Sequence, residues 1–459
     1  MNKKELTIKF LGGAESVTGS NFLIMDEGDD SKKILIDCGL FQGCKICEDE
    51  NRRDFDFDPK TIDVLIVTHA HLDHIGRIPK LVKDGFKGVI YSTPPTKEIA
   101  QLSLADSLGV MEKEAKYDKT EPLYTMDDVA ETMHSWKTIK YHEPFHVGKF
   151  QVVFRDSGHI LGSAIVEFTY NDKKVVFTGD LGNSPSPLLP DTEAITDADY
   201  MVIESVYGDR NHENKEERTN KLRKHIKETL KKGGTVMIPA FSIERTQEFL
   251  FEIENMMEDS EIPLVPVFLD SPLAINVTSV YKKYQEYFNK NAKQIMREGD
   301  GLFHFPQLHM TRTTDESKAI RYASPRKIIM AGSGMSNGGR ILHHEKAYLP
   351  DPNSTLIIAG YQSSGSLGRV IEEGAKVIKI HGEDVQVNGK VVVVSGYSGH
   401  KGSDELVDFV AGTAKHLKKV FVAMGEPKSA SFLAQRLKDT LGLDATVPKQ
   451  GDEVKIDVS

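Results

Sequence analysis

Four side chains that commonly bind metals stand within six residues, in the segment 69–74, which reads His-Ala-His-Leu-Asp-His. An apolar run, residues 63–67, precedes them, so the pattern predicts that a strand ends and a helix begins there. The imidazoles of His69 and His71 can reach one metal ion, and the next two side chains, on the following turn, can reach a second. Imidazole and carboxylate together suit zinc. The alternative is a chance cluster of surface histidines.

Four further polar residues lie far from this segment but share its setting. Each follows a short β-rich segment and has glycine close by; they are Asp37, His159, Asp180 and His400. Loops at strand ends are where a rigid scaffold presents catalytic groups. Taken singly, Asp37 or Asp180 could be a helix cap and His159 an ordinary surface residue. Their joint occurrence argues against chance and favours a shared metal site.

The order of these residues resembles the metallo-β-lactamase fold. The H-x-H-x-D-H string alone would also admit lactonases, thioesterases and RNase Z-like enzymes. Later segments resemble the β-CASP branch, which processes RNA or DNA, and the resemblance covers essentially the whole chain. These segments are 203–208 (IESVYG), 239–248 (PAFSIERTQE), 270–274 (DSPLA), 332–335 (GSGM) and the terminal His400.

The fold class that the resemblance implies is an α/β, αββα metallo-β-lactamase sandwich with an inserted α/β, parallel-sheet β-CASP domain. The sequence agrees: residues 6–180 are strand-heavy, and from Tyr200 strands alternate with helices, which predicts a parallel sheet. We therefore expect three parts. They are residues 1–205, the first part of the metallo-β-lactamase domain; 206–382, the inserted β-CASP domain; and 383–459, the return segment.

The resemblance implies two Zn²⁺ per chain, with Mn²⁺ as the alternative, and assigns their ligands. The first zinc would be held by His69, His71 and His159, the second by Asp73, His74 and His400, with Asp180 bridging them and Asp37 orienting ligands through hydrogen bonds. The implied catalytic residues are Asp73, Asp180, Glu204 and His400. A hydroxide shared by the two metals would be the nucleophile. Glu204 would position a proton donor, and its alternative role is a helix cap or a salt bridge.

RNA-binding candidates come from the later segments. The glycine-rich stretch 332–340 lies between a predicted strand and a predicted helix, where backbone N–H groups can bind an anion. An ordinary turn is the alternative for this stretch, and arginines are common on surfaces, although they suit bidentate phosphate binding. The candidates are Arg245, Ser333, Ser336, Arg340, Arg369 and His381.

One departure from the family pattern concerns protonation of the leaving group. Many members carry a histidine where this chain has Val370, and that histidine helps to protonate the leaving 3′-oxygen. The leaving-group acid is therefore left open, with His381 as a substitute to consider.

Composition predicts a globular enzyme of two or three domains, because 459 residues exceed one typical domain. The net charge of −10 excludes a protein that coats nucleic acid non-specifically. A polyanion would need a local basic patch, for which residues 281–297 and 318–327 are candidates; a solvated helix face is the alternative for the first.

Compartment and redox state follow from smaller signals. No apolar stretch approaches transmembrane length and no signal peptide is evident, so we expect a cytoplasmic protein without membrane partners. Three cysteines argue against a disulfide framework. Cys44 and Cys47 are expected to be two free thiols, with a redox role as the alternative.

The sequence thus predicts a zinc-dependent ribonuclease that hydrolyses phosphodiester bonds of single-stranded RNA in RNA processing or decay. His400 resembles the RNA-type branch, because DNA-repair relatives usually carry valine there. The alternatives are a catalytically weak RNA-binding subunit and a small-molecule or DNA hydrolase of the same fold. A homodimer is compatible with the resemblance. The sequence does not decide between endonuclease and 5′–3′ exonuclease action, nor does it give the RNA target, the native metal or the oligomeric state.

Overall fold

A computed structural model describes residues 5–26, 31–43, 47–298, 302–363 and 365–459, with the backbone alone of Lys215 and Glu298. The chain divides into two compact units. The first contains Met1–Ser184, Asp191–Asn211 and His400–Ser459, and the second contains Pro185–Pro190 and His212–Gly399.

Two sheets form the frame of the first unit. Their strands are β1 (Glu5–Gly12), β2 (Asn21–Asp26), β3 (Lys33–Ile36), β4 (Val64–Ile66), β5 (Val89–Ser92), β6 (Trp136–Thr138), β7 (Phe145–Val147), β8 (Phe150–Asp156), β9 (Ala164–Tyr170), β10 (Lys173–Phe177), β11 (Tyr200–Ile203), and, after the second unit, β20 (Lys419–Val422), β21 (Ala445–Thr446) and β22 (Glu453–Asp457). The first sheet has the order β22-β1-β2-β3-β4-β5-β6 and the second β21-β20-β11-β10-β9-β8-β7. Neighbouring strands are parallel from β3 to β6 and from β10 to β21, and antiparallel elsewhere.

A phenylalanine-rich core joins the inner faces of these two sheets. Phe10 and Phe22 of the first sheet have ring centroids 5.7 Å apart. Phe10 also contacts Phe421 of the second sheet at 5.6 Å, and Phe22 contacts Phe177 at 5.8 Å. Offset and edge-on rings at these distances add to the gain from burying apolar area. The alternation of buried residues along β8 follows from this face-to-face packing, because successive side chains point to opposite faces.

Helices cover the outer faces of the sandwich. They are α1 (Cys47–Arg52), α2 (Leu72–Ile75), α3 (Ile78–Lys83), α4 (Pro94–Asp118), α5 (Met126–His134), α13 (Ser403–Ala411) and α14 (Pro427–Leu441), with a short 3-10 helix at Pro59–Thr61. Leu406 and Leu433, from α13 and α14, pack with Met201 and Val420 of the second sheet. On the other side α4 packs against α5 and β6. The predicted αββα sandwich is confirmed.

The second unit contains a parallel sheet with helices between its strands. The strands of this sheet are β12 (Thr235–Pro239), β13 (Val267–Asp270), β14 (Leu308–Met310), β15 (Lys327–Ala331), β16 (Thr355–Ile358) and β19 (Lys390–Val393). Before β19, β17 (Val377–Ile380) and β18 (Glu383–Gln386) form a separate antiparallel pair. The helices are α6 (Lys215–Lys231), α7 (Arg245–Glu258), α8 (Pro272–Lys283), α9 (Lys290–Glu298), α10 (Thr314–Ala319), α11 (Ile341–Tyr348) and α12 (Leu367–Glu372), with 3-10 helices at Gln285–Tyr287, Ile320–Tyr322 and Ser395–Tyr397.

The six-stranded sheet has the order β14-β13-β15-β12-β16-β19, and every neighbouring pair is parallel. The predicted parallel sheet is therefore confirmed. The observed division differs from the expected domain boundaries at three places. Pro185–Pro190 fall in the second unit and residues 206–211 in the first. Residues 383–399, expected in the return segment, fall in the second unit because β19 pairs with β16 from Thr355 to Ile358.

The basic patch 281–297, whose charges have helical spacing, forms the end of α8, a 3-10 turn and α9. Two local expectations were wrong. The pattern of residues 95–108 predicts a helix that ends at Leu108, but α4 continues through Gly109 to Asp118, after which Lys119 adopts φ 58°. Cys47 is disulfide-bonded rather than a free thiol, while Cys38 is free and buried; Cys44 lies outside the described residues.

Among the described residues, no helix is both long and apolar enough to span a membrane.

Candidate metal centre

The metal-binding candidates lie where strands end in the first unit. Asp37 directly follows β3, and Thr68 and His69 follow β4, its parallel neighbour. Because parallel strands end at the same edge of a sheet, these side chains meet there. Asp180 and Glu204 follow β10 and β11, which are likewise parallel neighbours in the second sheet.

Asp37 is the hydrogen-bond hub on the first sheet's side of the site. Its Oδ1 accepts a bond of 2.8 Å from the Thr68 backbone N–H, and its Oδ2 accepts from Thr68 Oγ1 at 2.8 Å. His74 Nδ1 lies 2.7 Å from the same Oδ2. The backbone of Asp37 has φ 59°, an uncommon value outside glycine, so these bonds and its complete burial hold it there. With Nδ1–H donated to Asp37, the Nε2 lone pair of His74 is available to a metal.

Glycine is required beside this hub. A Cβ on Gly39 would stand 1.5 Å from the carbonyl oxygen of Asp73. The loop after β3 therefore lies directly against the turn that carries Asp73 and His74, and the backbone N–H of Cys38 donates to the His74 carbonyl at 2.8 Å.

Four donor atoms surround the first expected metal position. His69 Nε2 and His159 Nε2 lie 3.1 Å and 3.2 Å from His71 Nδ1. Asp180 Oδ2 lies 3.4 Å from His69 Nε2 and 3.5 Å from His159 Nε2. Zinc binds nitrogen and oxygen at roughly 2.0–2.1 Å, so neighbouring ligand atoms of one zinc ion lie about 3–3.5 Å apart. The four separations therefore suit donors that share one transition-metal ion.

The loop 157–163 places His159 in this set. Ser163 is its centre: Ser163 Oγ accepts the backbone N–H of His159 at 3.1 Å and that of Ile160 at 3.2 Å. Ser157 Oγ donates to the same oxygen at 2.8 Å. Sequence reasoning did not single out Ser163. A hydroxyl four residues after His159 in a glycine-flanked loop is a local signal that could have identified this turn.

A second donor set lies on the other side of Asp180. His74 Nε2 is buried, has no hydrogen bond, and lies 3.3 Å from Asp180 Oδ1. A buried nitrogen that has no hydrogen-bond partner and faces a carboxylate oxygen fits a pair of atoms that both bind a metal ion. Burial raises the pKa of Asp73, and the charges of His74, Asp180 and His400 also shift it. Because such charge effects act over short distances, Asp73 belongs to the same group of residues.

His400 and Glu204 form a carboxylate–histidine pair. His400 Nδ1 lies 3.2 Å from Glu204 Oε2 and 3.9 Å from Asp180 Oδ2. Glu204 is fully buried and also accepts the Leu181 backbone N–H at 2.6 Å. The Glu204 carboxylate pairs with the His400 ring, which suits both expected roles, positioning a proton donor and forming a salt bridge.

The charges at the site are strongly coupled. Burial lowers the pKa of His69 well below its usual value, and the neighbouring His74 lowers it further, so His69 is a neutral ligand. Burial also opposes a proton on His74, but Asp180 and Asp37 outweigh it and raise the pKa of His74. His400 behaves similarly: Glu204 and Asp180 overcome burial and raise its pKa to about 9. A bound cation would replace these protons as the partner of Asp180.

The residues present fit a divalent metal site. Ligand atoms of His69, His71, His159 and Asp180 lie within 4.8 Å of one another, as do those of Asp180, Glu204 and His400. Asp180 is common to both groups. The seven residues expected to be metal ligands lie in the first unit, and His69, His71, His74, His159, Asp180 and His400 each lie within 3.9 Å of another member of the set.

The RNA-binding candidates lie in the second unit, and two of them are buried. Ser336 is 1% exposed and donates to Glu345 Oε1 at 2.5 Å. Arg245 donates to the Tyr397 carbonyl at 2.9 Å and pairs with Glu248. Both side chains are occupied by contacts within the unit.

The other four candidates reach the surface to different degrees. Half-buried Ser333 accepts the Asn337 N–H at 3.1 Å, and half-buried Arg340 donates to Asp270 Oδ1 at 2.7 Å. Arg369 and His381 are exposed. Arg369 pairs with Glu373 at 2.7 Å, and the ring of His381 stacks 5.0 Å from that of His343. Val370, at the position of the family's histidine, is 41% exposed on α12.

Asp270 organises the strand ends of the second unit and was not expected to do so. It accepts hydrogen bonds from Arg340 and from three other groups: Thr311 Oγ1 at 2.7 Å, Ser317 Oγ at 2.6 Å and His344 Nε2 at 2.7 Å. Burial alone would raise the pKa of Asp270, but these hydrogen bonds lower it to about 2. The ionised carboxylate anchors Arg340, at the end of the glycine-rich loop.

Comparison with known proteins agrees with this geometry. Residues 27–205 match the metallo-beta-lactamase superfamily domain, 246–371 the Beta-Casp domain and 384–448 the Zn-dependent metallo-hydrolase RNA specificity domain. Ribonuclease TTHA0252 of Thermus thermophilus is 36% identical over 97% of this chain and 99% of its own length. An RNase J-like protein of Methanocaldococcus jannaschii is 31% identical over 97% and 98%.

Two further likenesses extend the comparison. Transcription termination factor FttA of Methanosarcina mazei is 32% identical over 95% of this chain and 69% of its own length. A crystal structure of a protein of unknown function from Enterococcus faecalis shares the fold, with a TM-score of 0.57 and 14% identity, over 98% of this chain and 100% of that one.

The chain therefore belongs to the β-CASP family of metallo-β-lactamase-fold nucleases. It is a metal-dependent hydrolase of a ribonuclease family, as the sequence predicted.

We predict that Asp37→Asn weakens metal binding by about 10–100-fold, the usual effect of losing a carboxylate that orients a histidine ligand. Competition with a chromophoric chelator measures the affinity. Asp172→Asn, at an exposed turn of the same unit, is the matched control and should bind metal as the wild type does. An affinity of Asp37→Asn equal to that of the control would contradict the orienting role.

We predict a pH-dependent stability from Glu345, because burial raises its pKa to about 7 from a usual value of 4.5. Between those values the folded protein binds the proton that the unfolded chain has lost, so stability falls as pH rises through this window. The shift is worth at most about 3 kcal/mol. Glu345→Gln should remove this dependence and be the more stable protein at pH 8.

Urea unfolding from pH 4 to pH 8 measures this difference in the free energy of unfolding. Glu258→Gln, at the exposed end of α7, is the control and should change the pH profile little. Parallel profiles for wild type and Glu345→Gln would mean that Glu345 ionises normally in the folded protein.

Proposed function

We propose that this protein is a zinc-dependent ribonuclease that holds two zinc ions and hydrolyses phosphodiester bonds of single-stranded RNA in RNA processing or decay. The observation that carries the proposal is the sharing of Asp180 by two donor sets, one of them four donors whose neighbouring atoms lie 3.1–3.5 Å apart. The relatives named as ribonucleases and the match to an RNA specificity domain support RNA as the substrate.

The ligands divide as follows. His69, His71 and His159 would hold the first ion, Asp73, His74 and His400 the second, and Asp180 both. Two adjacent cations supply Lewis acidity to the phosphate and activate water for attack. The chain's own contribution is placement: Asp37 holds the His74 ring, Glu204 holds the His400 ring, and Ser163 holds the loop of His159.

In the second unit we propose fewer RNA-binding residues than the sequence suggested. We retain Ser333, Arg369 and His381 as RNA-binding candidates, because each has accessible side-chain surface. Arg245, Ser336 and Arg340 are better explained as internal supports of their loops. With valine at position 370, His381 remains our candidate for the leaving-group acid. The proposal includes a cytoplasmic location, where single-stranded RNA is available, and a homodimer that light scattering can test.

We predict two transition-metal ions per chain, mostly zinc, in protein purified without chelator. Elemental analysis measures the content. Chelation should abolish RNA cleavage, and zinc or manganese should restore it. Less than one ion per chain in fully active protein would refute the two-ion proposal.

We predict that Asp73→Asn loses RNA cleavage while the protein stays folded, because it removes one ligand of the second ion and leaves the ligands of the first ion intact. Cleavage of a labelled single-stranded RNA and of DNA with the same sequence measures activity, and circular dichroism checks the fold. Asp172→Asn should retain full activity. Cleavage of DNA in preference to RNA would favour the DNA-hydrolase alternative, and binding of RNA without cleavage by wild type would favour an RNA-binding subunit.

A further inference from the structure

A basic stripe lies along α9 (Lys290–Glu298) in the second unit. Lys290, Lys293 and Arg297 stand at i, i+3 and i+7, so they share one side of the helix. Ala292 is completely buried on the opposite side. Lys290 and Arg297 are exposed and Lys293 is half-buried. We call these three cations the α9 stripe.

Carboxylate partners of the α9 stripe are absent from the described side chains. None of its three members forms an ion pair with a carboxylate of the described part of the chain. Lys293 Nζ donates to the backbone carbonyl of Glu286 at 2.7 Å, which fixes the ammonium and leaves its other N–H donors for a ligand. By contrast, Lys346 and Arg369 of the same unit pair with Glu383 and Glu373.

Two aromatic rings precede the stripe. Tyr284 and Tyr287 form an edge-to-face pair with centroids 5.9 Å apart, and both are half-buried. Lys283 Nζ lies 5.1 Å from the centroid of Tyr284. Aromatic faces beside cations are the combination that binds single-stranded nucleic acid, because bases stack on the rings while the cations meet phosphates.

The stripe is displayed on a fixed support. Asn289 caps α9, its Oδ1 accepting the Ala292 N–H at 2.8 Å. The Asn289 backbone N–H donates to Leu188 at 2.8 Å, and its side-chain amide donates to the carbonyls of Ser186 and Leu189. Segment Pro185–Pro190 therefore holds the first turn of α9 within the second unit.

Charge favours a nucleic acid as the occupant of this surface. The whole chain carries a net charge of −10, yet residues 282–297 contain five lysines and arginines and one glutamate. An acidic protein that handles a polyanion must do so at local cationic sites, since its general field repels the ligand.

We propose that the α9 stripe and the Tyr284–Tyr287 pair form an accessory binding surface for single-stranded RNA. Lys290, Lys293 and Arg297 contact successive phosphates, and the tyrosines stack on unpaired bases. The inference rests on the ribonuclease proposal, because it gives the same substrate a second contact surface. It adds that the affinity for RNA depends on contacts with this surface in addition to contacts at the metal centre.

The test compares two triple variants with the same charge loss and the same spacing. Lys290→Gln/Lys293→Gln/Arg297→Gln removes the stripe. Lys224→Gln/Lys227→Gln/Lys231→Gln removes three exposed lysines at i, i+3 and i+7 from α6. Fluorescence anisotropy of a labelled single-stranded RNA of about 20 nucleotides is measured at several salt concentrations, with Asp73→Asn present in every protein so that the RNA stays intact.

We expect the stripe variant to bind at least about tenfold more weakly near 0.1 M salt, and the slope of log affinity against log salt to fall by about 2, since each phosphate contact on a single strand contributes about 0.7. The α6 variant should bind nearly as the parent does. Equal affinities and slopes for all three proteins, or equal losses in both variants, would overturn the proposal.

A second variant separates stacking from charge. Tyr284→Leu/Tyr287→Leu should weaken RNA binding by at least about fivefold while leaving the salt slope unchanged, because stacking releases no counterions. Circular dichroism checks that the tyrosine variant is folded. If it is unfolded, the comparison of the stripe variant with the α6 variant tests the proposed surface. An unchanged affinity in the folded variant would overturn the stacking contact.

These binding measurements also separate this inference from the ribonuclease proposal. Stripe-dependent RNA affinity in a wild-type protein that never cleaves RNA would refute the ribonuclease proposal and support the surface. RNA cleavage by a protein whose affinity is indifferent to the stripe would support the ribonuclease and refute the surface.

Discussion

The centre of the first unit depends on the electrostatics of Asp180. Three imidazole nitrogens and one of its oxygens lie together, with neighbouring atoms 3.1–3.5 Å apart, and His74 Nε2 lies 3.3 Å from its other oxygen. In a buried space such donors oppose one another unless positive charge lies among them. Without a metal, protons on His74 and His400 supply that charge, which is why both pKa values are raised although burial acts in the other direction. A divalent ion does the same with better geometry, so metal binding and proton release are coupled.

The first unit holds the side chains around Asp180 in place. The ligands come from the ends of several strands and from a segment more than two hundred residues later, and each ring is aimed by a group that is not itself a ligand. Asp37 adopts φ 59° to bring both carboxylate oxygens to Thr68 and His74, and Glu204 is buried completely to reach His400. Such burial and strain are tolerable because strong hydrogen bonds return free energy at the same place.

The ligand types and their order could be predicted because the motif packs them into short strings, and parallel strands end at the same edge of a sheet. The supporting groups were harder to predict. Ser163 acts through backbone N–H groups. Asp270 accepts hydrogen bonds from Arg340, Thr311, Ser317 and His344, which come from separate elements and are brought together by tertiary packing.

The extent of α4 beyond Gly109 was missed because its last turns are exposed and lack an apolar period. The basic patch 281–297 is not one continuous helix, because Asn289 binds Leu188 and caps α9.

The same distinction applies to the arginines. Sequence gives residue type, but only packing shows whether a guanidinium is available to a ligand. Arg245 and Arg340 have their N–H groups directed at a backbone carbonyl and at Asp270, respectively, and thereby stiffen the strand ends that carry the family's motifs. Lys290 and Arg297 lie outside the family's motif segments, and their side chains are exposed to solvent.

In a chain with net charge −10, two divalent ions would still leave −10 + 4 = −6, so a polyanion gains little from the overall field. Affinity for RNA must then come from short-range contacts at such uncompensated cations, and it should be strongly dependent on salt for that reason.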